Sequence, residues 1–195
     1  ETFGFEEANK IAPEGLLPAN ADLLWQAVKK GINAPQACGM GRLFDGVSAI
    51  LGVNRVSDYE GQAAVELEQA VTADDAAYDF AQCGEVIDWR PLIAALIKDI
   101  KNSVAVGVCA ARFHNGVVKM TLEQVQKLSE ATGLKTVCLS GGVWMNNYLL
   151  SKTVYELQSR GYAVYFNQKL PVNDGCIAYG QAAVAAARQN KETKL

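Results

Sequence analysis

The sequence predicts a helix-rich α/β fold. In its last third, two short apolar runs typical of buried strands, 136–139 and 163–166, alternate with two helical segments, 145–160 and 175–188. A β-α-β-α order is typical of neighbouring parallel strands joined by helices. Two or three strands are few for a parallel sheet, which needs both faces covered. We therefore expect part of the sheet to lie outside this chain.

The first part of the chain is predicted to be helical after a lead-in. Residues 1–20 have weak periodicity and two prolines, so they form a loosely packed lead-in segment. Helices are expected at Asp22–Lys30 and Arg42–Leu51, and a third opens at Tyr59–Gln62. In the second helix, Asp45 and Ser48 are placed off the apolar stripe, on a small, partly polar face. The stripe itself consists of Phe44, Val47, Ile50 and Leu51.

Residues 72–79 are acidic and alanine-rich, which indicates a surface connection. The remainder, 83–195, is predicted to be an α/β sublobe, which opens with a short strand at 85–89. Pro91 suits the first turn of the next helix. Residues 105–132 are then mostly helical, and Gly133 ends them.

Charge and hydropathy exclude several classes of function. Lys and Arg number 18 against 21 Asp and Glu, and this net charge of −3 argues against a nucleic acid as the main partner. No apolar run reaches the roughly 18 residues that a membrane span needs. The chain begins at Glu1 without a basic leader, so we expect no signal peptide and a piece of something longer.

Cysteine and histidine usage points to a reducing, cytoplasmic compartment. The five cysteines are odd in number and form no CxxC pair, which favours free, inert thiols in apolar surroundings. The single histidine, His114, excludes a metal site built from two or more histidines of this chain. Next to Phe113, it is expected to be a packing or surface residue rather than a catalytic base.

Two turns near the predicted sheet could carry a ligand. Ser140-Gly141-Gly142 joins a strand to a helix, and it is either a tight turn or a place where a phosphate approaches the backbone. Asn173-Asp174-Gly175 precedes the last helix, where Asp174 is either an N-cap or a metal-binding carboxylate. Ligands of open α/β sheets gather at the carboxyl ends of the strands, so the two turns together favour a site.

Five motifs in order closely resemble the C-terminal, TsaD/Kae-like region of the HypF family of carbamoyltransferases, which mature [NiFe]-hydrogenases. They are Met40–Gly52, Tyr59–Glu68, Ala111–Asn115, Leu139–Val143 and Pro171–Gln181. The resemblance runs from about Asp22 to the end of the chain. It implies a partial second lobe of an actin/Hsp70-like (ASKHA, ribonuclease H-like) ATPase fold, with the upstream lobe and the other HypF domains absent.

The resemblance also implies a reaction and its participants. The family makes carbamoyl-adenylate from ATP and carbamoyl phosphate, and passes its carbamoyl group to the C-terminal cysteine of HypE. The group carried on that cysteine becomes the source of the cyanide ligands. A divalent metal (Fe or Zn, with Mg for ATP) is implied as well. This fragment would be inactive without the missing upstream lobe, and its exposed sheet edge could favour a homodimer. A related O- or N-carbamoyltransferase lobe and a non-catalytic, partner-binding lobe are the alternatives.

Family site residues carry over position by position, and none of them is catalytic. Asp174 matches the metal-ligating aspartate, and Asp45 matches the aspartate that hydrogen-bonds the ribose. The helical insertion 21–82 thus carries nucleoside-contact motifs. The remaining nucleotide-binding matches are Gly61, Gln62, Gly141, Gly142 and Asn146, the last in the first turn of the helix that follows the glycines. Two cysteines depart from the family: Cys176 replaces the usual Gly, where it could narrow the metal edge, and Cys38 replaces Ser.

Overall fold

A computed structural model describes residues 6, 10, 18–35 and 37–192, and no side-chain detail is given beyond 189. Most of the expected lead-in, 1–20, lies outside the described residues. The chain packs as two compact units, 1–123 and 124–195, and the boundary falls within one long helix. The segments 21–82 and 83–195, which rest on motifs rather than packing, stay predictions.

The first unit is mostly helical, with one small hairpin. Its elements are α1 (Ala21–Lys29), α2 (Met40–Ile50), α3 (Gln62–Gln69), β1 (Ala81–Cys83), β2 (Val86–Asp88), α4 (Arg90–Lys101) and most of α5 (Val106–Thr132). The predicted helix Arg42–Leu51 is confirmed as α2, and the short strand predicted at 85–89 is confirmed as β2. Strand β2 pairs antiparallel with β1, whose Ala-Gln-Cys sequence has no apolar pattern that predicts a strand.

The core of the first unit lies along α2, α3, α4 and α5. Phe44 and Val47 are buried as expected, but the placement of Ser48 on a polar face is wrong, because Ser48 is fully buried. Ser48 follows Phe44 by four residues, so both lie on the same side of the helix. In α3, Ala63 and Leu67 are the buried residues.

The acidic segment 70–79, which we call the strap, lies along α5. Its ends are fixed by backbone hydrogen bonds from Thr72 N–H to the Gly107 carbonyl and from Tyr78 N–H to the Arg112 carbonyl, both 3.1 Å long. A β-carbon at Gly107 or at Gly116 would collide with the strap, at Gly116 with the Tyr78 carbonyl oxygen. The expected surface connection is therefore wrong at its end, since Tyr78 is buried and only 5% exposed.

Polar side chains also tie the strap to α5 and α4. Arg112 Nη1 donates to Asp99 Oδ2 at 2.8 Å, and its Nε donates to Asp74 Oδ1 at 3.2 Å. Tyr78 Oη donates to the same Asp99 oxygen at 2.7 Å. Asn115 Nδ2 donates to the carbonyls of Asp74 and Ala76 at 2.9 and 2.8 Å. Burial and these bonds raise the pKa of the Tyr78 hydroxyl, and the pKa of Asp74 falls because Arg112 binds it.

The second unit contains the predicted parallel strand pair. Its elements after α5 are β3 (Thr136–Leu139), a 3-10 turn (Gly142–Met145), α6 (Asn147–Ser159), β4 (Ala163–Phe166), a second 3-10 turn (Asp174–Cys176) and α7 (Ile177–Glu192). Strands β3 and β4 pair in parallel, with Thr136 opposite Ala163. Helix α6 buries Leu149, Thr153 and Leu157. The predicted participation of further strands from outside the chain stays a prediction.

Cysteine exposure corrects one expectation. All five cysteines are free, but Cys38, Cys83 and Cys138 are exposed, so the predicted apolar core surroundings are wrong for these three. Cys109 is buried, and its pKa is raised chiefly by that burial. Within the described ranges, no helix is both long and apolar enough to cross a membrane.

Candidate functional site

In the second unit, the Gly-Gly turn and the loop carrying Asp174 lie side by side. The Gly141 N–H donates to the Val172 carbonyl at 2.9 Å. A β-carbon on Gly142 would lie 3.8 Å from the β-carbon of Asn173. The structure therefore brings together the two turns that the sequence singled out, each of which follows a strand of the parallel pair.

The loop before α7 is held by its own hydrogen bonds. The side chain of Asn173 accepts from the Gly175 N–H at 3.1 Å, and its carbonyl accepts from the Cys176 N–H at 3.1 Å. Asn173, and not Asp174, is thus the N-cap of the 3-10 turn that leads into α7. Within the described part of the chain, no hydrogen bond or ion pair engages the Asp174 carboxylate, which leaves it available to a ligand.

Gly141 has a backbone conformation that favours glycine. Its φ of 105° and ψ of 157° lie in a region that other residues rarely adopt. A 3-10 turn follows at once, and α6 begins at Asn147, two residues after the start predicted for this helix. Among the described residues, the N–H groups of Gly142 and Val143 have no hydrogen-bond partner. Two successive free N–H groups next to a left-handed glycine form a concavity suited to an anion.

Asn146 caps α6, so its expected place inside the first turn of that helix is wrong by one position. Its Oδ1 accepts from the Leu149 N–H at 2.8 Å, and the residue is 8% exposed. The capping bond uses the side-chain oxygen. The amide nitrogen is a separate donor group, so capping and ligand binding place different demands on this side chain.

In the first unit, Asp45 lies on α2 with its carboxylate partly exposed. Its Oδ2 pairs with Arg42 Nη2 at 2.8 Å, one turn away, and 31% of the Asp45 side chain is accessible. An exposed pair at this spacing stabilises a helix only slightly. A carboxylate that is oriented but still accessible is suited to accept hydrogen bonds from the hydroxyl groups of a ligand.

Gly61 and Gln62 begin α3 at the end of a rigid loop. Gly61 has a φ of 84°, which favours glycine at this N-cap position. Gln62 Oε1 accepts from the Asp58 N–H at 2.7 Å, and its Nε2 donates to Glu66 Oε1 at 2.7 Å. Asn54 donates to the other Glu66 oxygen at 2.9 Å. These bonds from Asn54 and Gln62 lower the pKa of Glu66 and fix the loop that leads to Gly61.

The predicted nucleotide residues thus form two groups, one in each unit. Asp45, Gly61 and Gln62 belong to the first unit, and the rest belong to the second. That the two groups share one ligand stays a prediction. Sequence reasoning missed the capping role of Asn173, although Asn is favoured at N-caps and its side chain can bond the backbone two residues further on.

A metal ion would need more ligands than the described residues supply. No group of three His, Cys, Asp or Glu side chains able to hold a metal occurs among them. Asp174 offers one carboxylate, and an oxygen-rich or mixed site needs at least three such donors. The residues described here therefore do not fit a complete metal centre.

A family match and two relatives point to the same family of proteins. Residues 2–181 match the family described as "Carbamoyltransferase, Kae1-like Domain, second subdomain". Carbamoyltransferase HypF of Synechocystis sp. is 33% identical over 194 residues, which are 95% of this chain, and HypF of Rhodobacter capsulatus is 34% identical over 87% of it. The chain spans only 24% and 22% of the length of these two relatives.

Two solved structures resemble the fold. A crystal structure of full-length HypF in its phosphate- and nucleotide-bound form superposes with a TM-score of 0.83 at 34% identity, over 88% of this chain and 28% of that one. The structure of T. kodakarensis HypF gives a TM-score of 0.75 at 22% identity, over 87% of this chain and 22% of that one, and it supports the fold alone.

Proposed function

The chain belongs to the Kae1-like region of the HypF carbamoyltransferases, and from this premise we propose that it forms part of a carbamoyl-transfer site that binds an adenine nucleotide. The observation that carries the proposal is the pairing of the Gly141–Gly142 turn with the Asp174 loop. We infer that the chain is a partial second lobe of an actin/Hsp70-like (ASKHA) fold, whose other lobe is supplied from outside it.

The first unit would bind the nucleoside. Asp45 is accessible and oriented by Arg42, so it can accept hydrogen bonds from the two ribose hydroxyls. Gly61 lets the backbone approach the nucleoside without a side chain in between. Gln62 has both ends of its amide engaged within the chain, so its role is to hold the loop in shape. A full-length HypF that is 34% identical was solved in a phosphate- and nucleotide-bound form, which supports nucleotide binding as such.

The second unit would bind the phosphate side. The free N–H groups of Gly142 and Val143 can donate to phosphate oxygens, and Gly141 gives the turn its shape. The Asn146 amide nitrogen would contact the nucleotide while its oxygen caps α6. Asp174 would supply one ligand to a divalent metal, and the other ligands would come from the missing lobe. Such an ion would offset negative charge on the phosphate.

The transfer itself needs little chemistry from this chain. The thiolate of the C-terminal HypE cysteine would attack the carbamoyl carbon, and the bond from that carbon to the phosphate oxygen would break, releasing AMP. AMP is a good leaving group, so the described residues contribute positioning and electrostatic stabilisation and no nucleophile. We place the product, an S-carbamoyl group on HypE, on the route to the cyanide ligands of [NiFe]-hydrogenase.

Paired substitutions in a full-length protein test this function. We use the full-length chimera, in which this chain replaces the corresponding region of the Synechocystis relative. Asp45→Asn with Asp174→Asn should abolish carbamoylation of a HypE C-terminal peptide, followed by mass spectrometry. The matched control is Asp79→Asn with Glu156→Gln, two exposed carboxylates that pair with Lys119 and Arg160. Retained transfer in the first double variant would refute the site.

A further inference from the structure

His114 lies in the core of the first unit against the helix that carries Asp45. Its ring is fully buried and meets the Phe44 ring nearly edge-on, with centroids 5.3 Å apart and an interplanar angle of 82°. Phe113 meets the same Phe44 ring at 4.7 Å, also edge-on. The three rings therefore form a closed aromatic cluster, defined here as Phe44, Phe113 and His114.

The orientation of the histidine ring is fixed from its own helix. His114 Nδ1 lies 2.7 Å from the Ala110 carbonyl oxygen, one turn earlier in α5. A carbonyl can only accept, so Nδ1 carries the proton and donates. The bond removes rotation about the side-chain torsions, and the ring presents one defined edge to Phe44.

Two residues beside His114 in the same motif tie α5 to the strap and to α4. Arg112 donates to Asp74 of the strap and to Asp99 of α4, and Asn115 donates to the strap carbonyls of Asp74 and Ala76. Residues 111–115 therefore connect the strap to α2 by way of α5. A rigid backing of this kind transmits small shifts because a close-packed interior deforms little.

We propose that His114 is a positioning residue for Asp45, acting through Phe44. Phe44 immediately precedes Asp45 and is the largest fully buried side chain of α2, so its seat on His114 and Phe113 sets the rotation of that helix about its axis. A rigid rotation of the helix about its axis turns every residue by the same angle, so a rotation that reseats Phe44 moves the Asp45 carboxylate as well. This inference rests on the proposed role of Asp45 in binding the nucleotide.

A double-mutant cycle in the full-length chimera tests the inference. The dissociation constant for ATP is measured by calorimetry, well below the unfolding midpoint of every variant, for His114→Gln, Asp45→Asn and the double variant. We expect His114→Gln to weaken ATP binding about tenfold when Asp45 is present and less than twofold when Asp45 has been replaced, because both changes act on the same contact. His114→Phe, which keeps an aromatic ring against Phe44, should recover most of the affinity.

A control separates positioning from general loss of stability. Tyr78→Phe removes one bond to Asp99, while Arg112 and Asn115 still hold the strap on α5 and the aromatic cluster is unchanged, so it should lower the unfolding midpoint without changing ATP affinity. If His114→Gln raises the ATP dissociation constant by the same factor in the wild-type and Asp45→Asn backgrounds, the inference is overturned. If Asp45→Asn alone leaves binding unchanged, the proposed role of Asp45 fails, and the inference fails with it.

Discussion

The backbone N–H of Gly141 donates to the carbonyl of Val172 at 2.9 Å, and this bond joins the two turns on which the second-unit site depends. One turn follows β3, and the other follows β4 and carries Asp174. The bond brings a glycine with a left-handed backbone next to the loop that carries Asp174, whose carboxylate pairs with none of the described residues. Substitutions near this bond should distinguish the residues that are needed for folding from those that are needed to bind the ligand.

Gly141→Ala should destabilise the chain, whereas Gly142→Ala should not. The φ of 105° at Gly141 costs other residues about 1–3 kcal/mol. A β-carbon at Gly142 meets Asn173 at 3.8 Å, an ordinary contact, but it would stand where a phosphate approaches. We therefore expect Gly142→Ala to keep its midpoint in chemical denaturation and to weaken ATP binding in the full-length chimera. Equal stability of the two variants would contradict the account.

Asn146→Asp should preserve the cap of α6 and impair binding, whereas Asn146→Ala should impair both. The Asn146 oxygen caps α6 through the Leu149 N–H, and removing a cap of this kind costs about 1 kcal/mol. An aspartate keeps the acceptor and its charge suits a helix N-terminus, but it has no amide donor. Thermal unfolding and ATP calorimetry together check this. Full affinity in Asn146→Asp would remove the residue from the nucleotide site.

Gly116→Ala should be among the most destabilising single changes in the first unit. The added β-carbon would collide with the Tyr78 carbonyl oxygen, a backbone atom that cannot move without shifting the strap. Overpacking of this kind costs about 1–3 kcal/mol. Gly46→Ala is the matched control, because none of the described atoms lies within 4 Å of its added carbon and alanine favours a helix. Comparable unfolding midpoints for the two variants would show that the strap does not rest on Gly116.

Acidification should destabilise the first unit through His114. Burial lowers the pKa of His114 below its usual 6.5, so the unfolded chain binds a proton that the folded chain resists. Stability is therefore complete above about pH 6.5 and falls as the pH drops below it, by at most about 1.4 kcal/mol per pH unit. Asp74 and Asp99 have lowered pKa values, the latter because hydrogen bonds from Tyr78 and Arg112 outweigh its burial, so their contributions are lost only at lower pH.

Urea unfolding of this chain between about pH 7.5 and pH 5.5 checks the effect of His114. The wild-type free energy of unfolding should decline over this range, and His114→Phe should flatten that decline because the titrating group is gone. An equally steep decline in the variant would assign the pH dependence to another group.

The sequence predicted the elements whose pattern is local and missed those that depend on distant partners. Helix α2 and strands β3 and β4 follow from periodicity and short apolar runs, and they lie within two residues of the prediction. The burial of Ser48 and the position of the strap along α5 depend on contacts between residues far apart in the sequence, which no local pattern predicts. Ser48 is a case in point, since its hydroxyl is buried and finds no partner among the described residues.

The candidate site shows the same division. Glycines and the Asn-Asp-Gly sequence mark turns locally, so both turns could be found in advance. Their contact through Gly141 and Val172 became visible only in three dimensions. The cap on Asn173 and the double engagement of Gln62 were missed because amide side chains can bond in many ways, and the sequence does not say which neighbour is in reach.

Calorimetric titration of ATP with a divalent metal, into this chain alone and into the full-length chimera, tests whether these residues form a nucleotide site. We expect measurable binding in the chimera, its loss in Asp45→Asn, and little or no binding by the chain alone, because we propose that a lobe outside it completes the site. Absence of ATP binding in a chimera that is folded, or binding that Asp45→Asn leaves unchanged, would contradict the assignment of these residues to a nucleotide site.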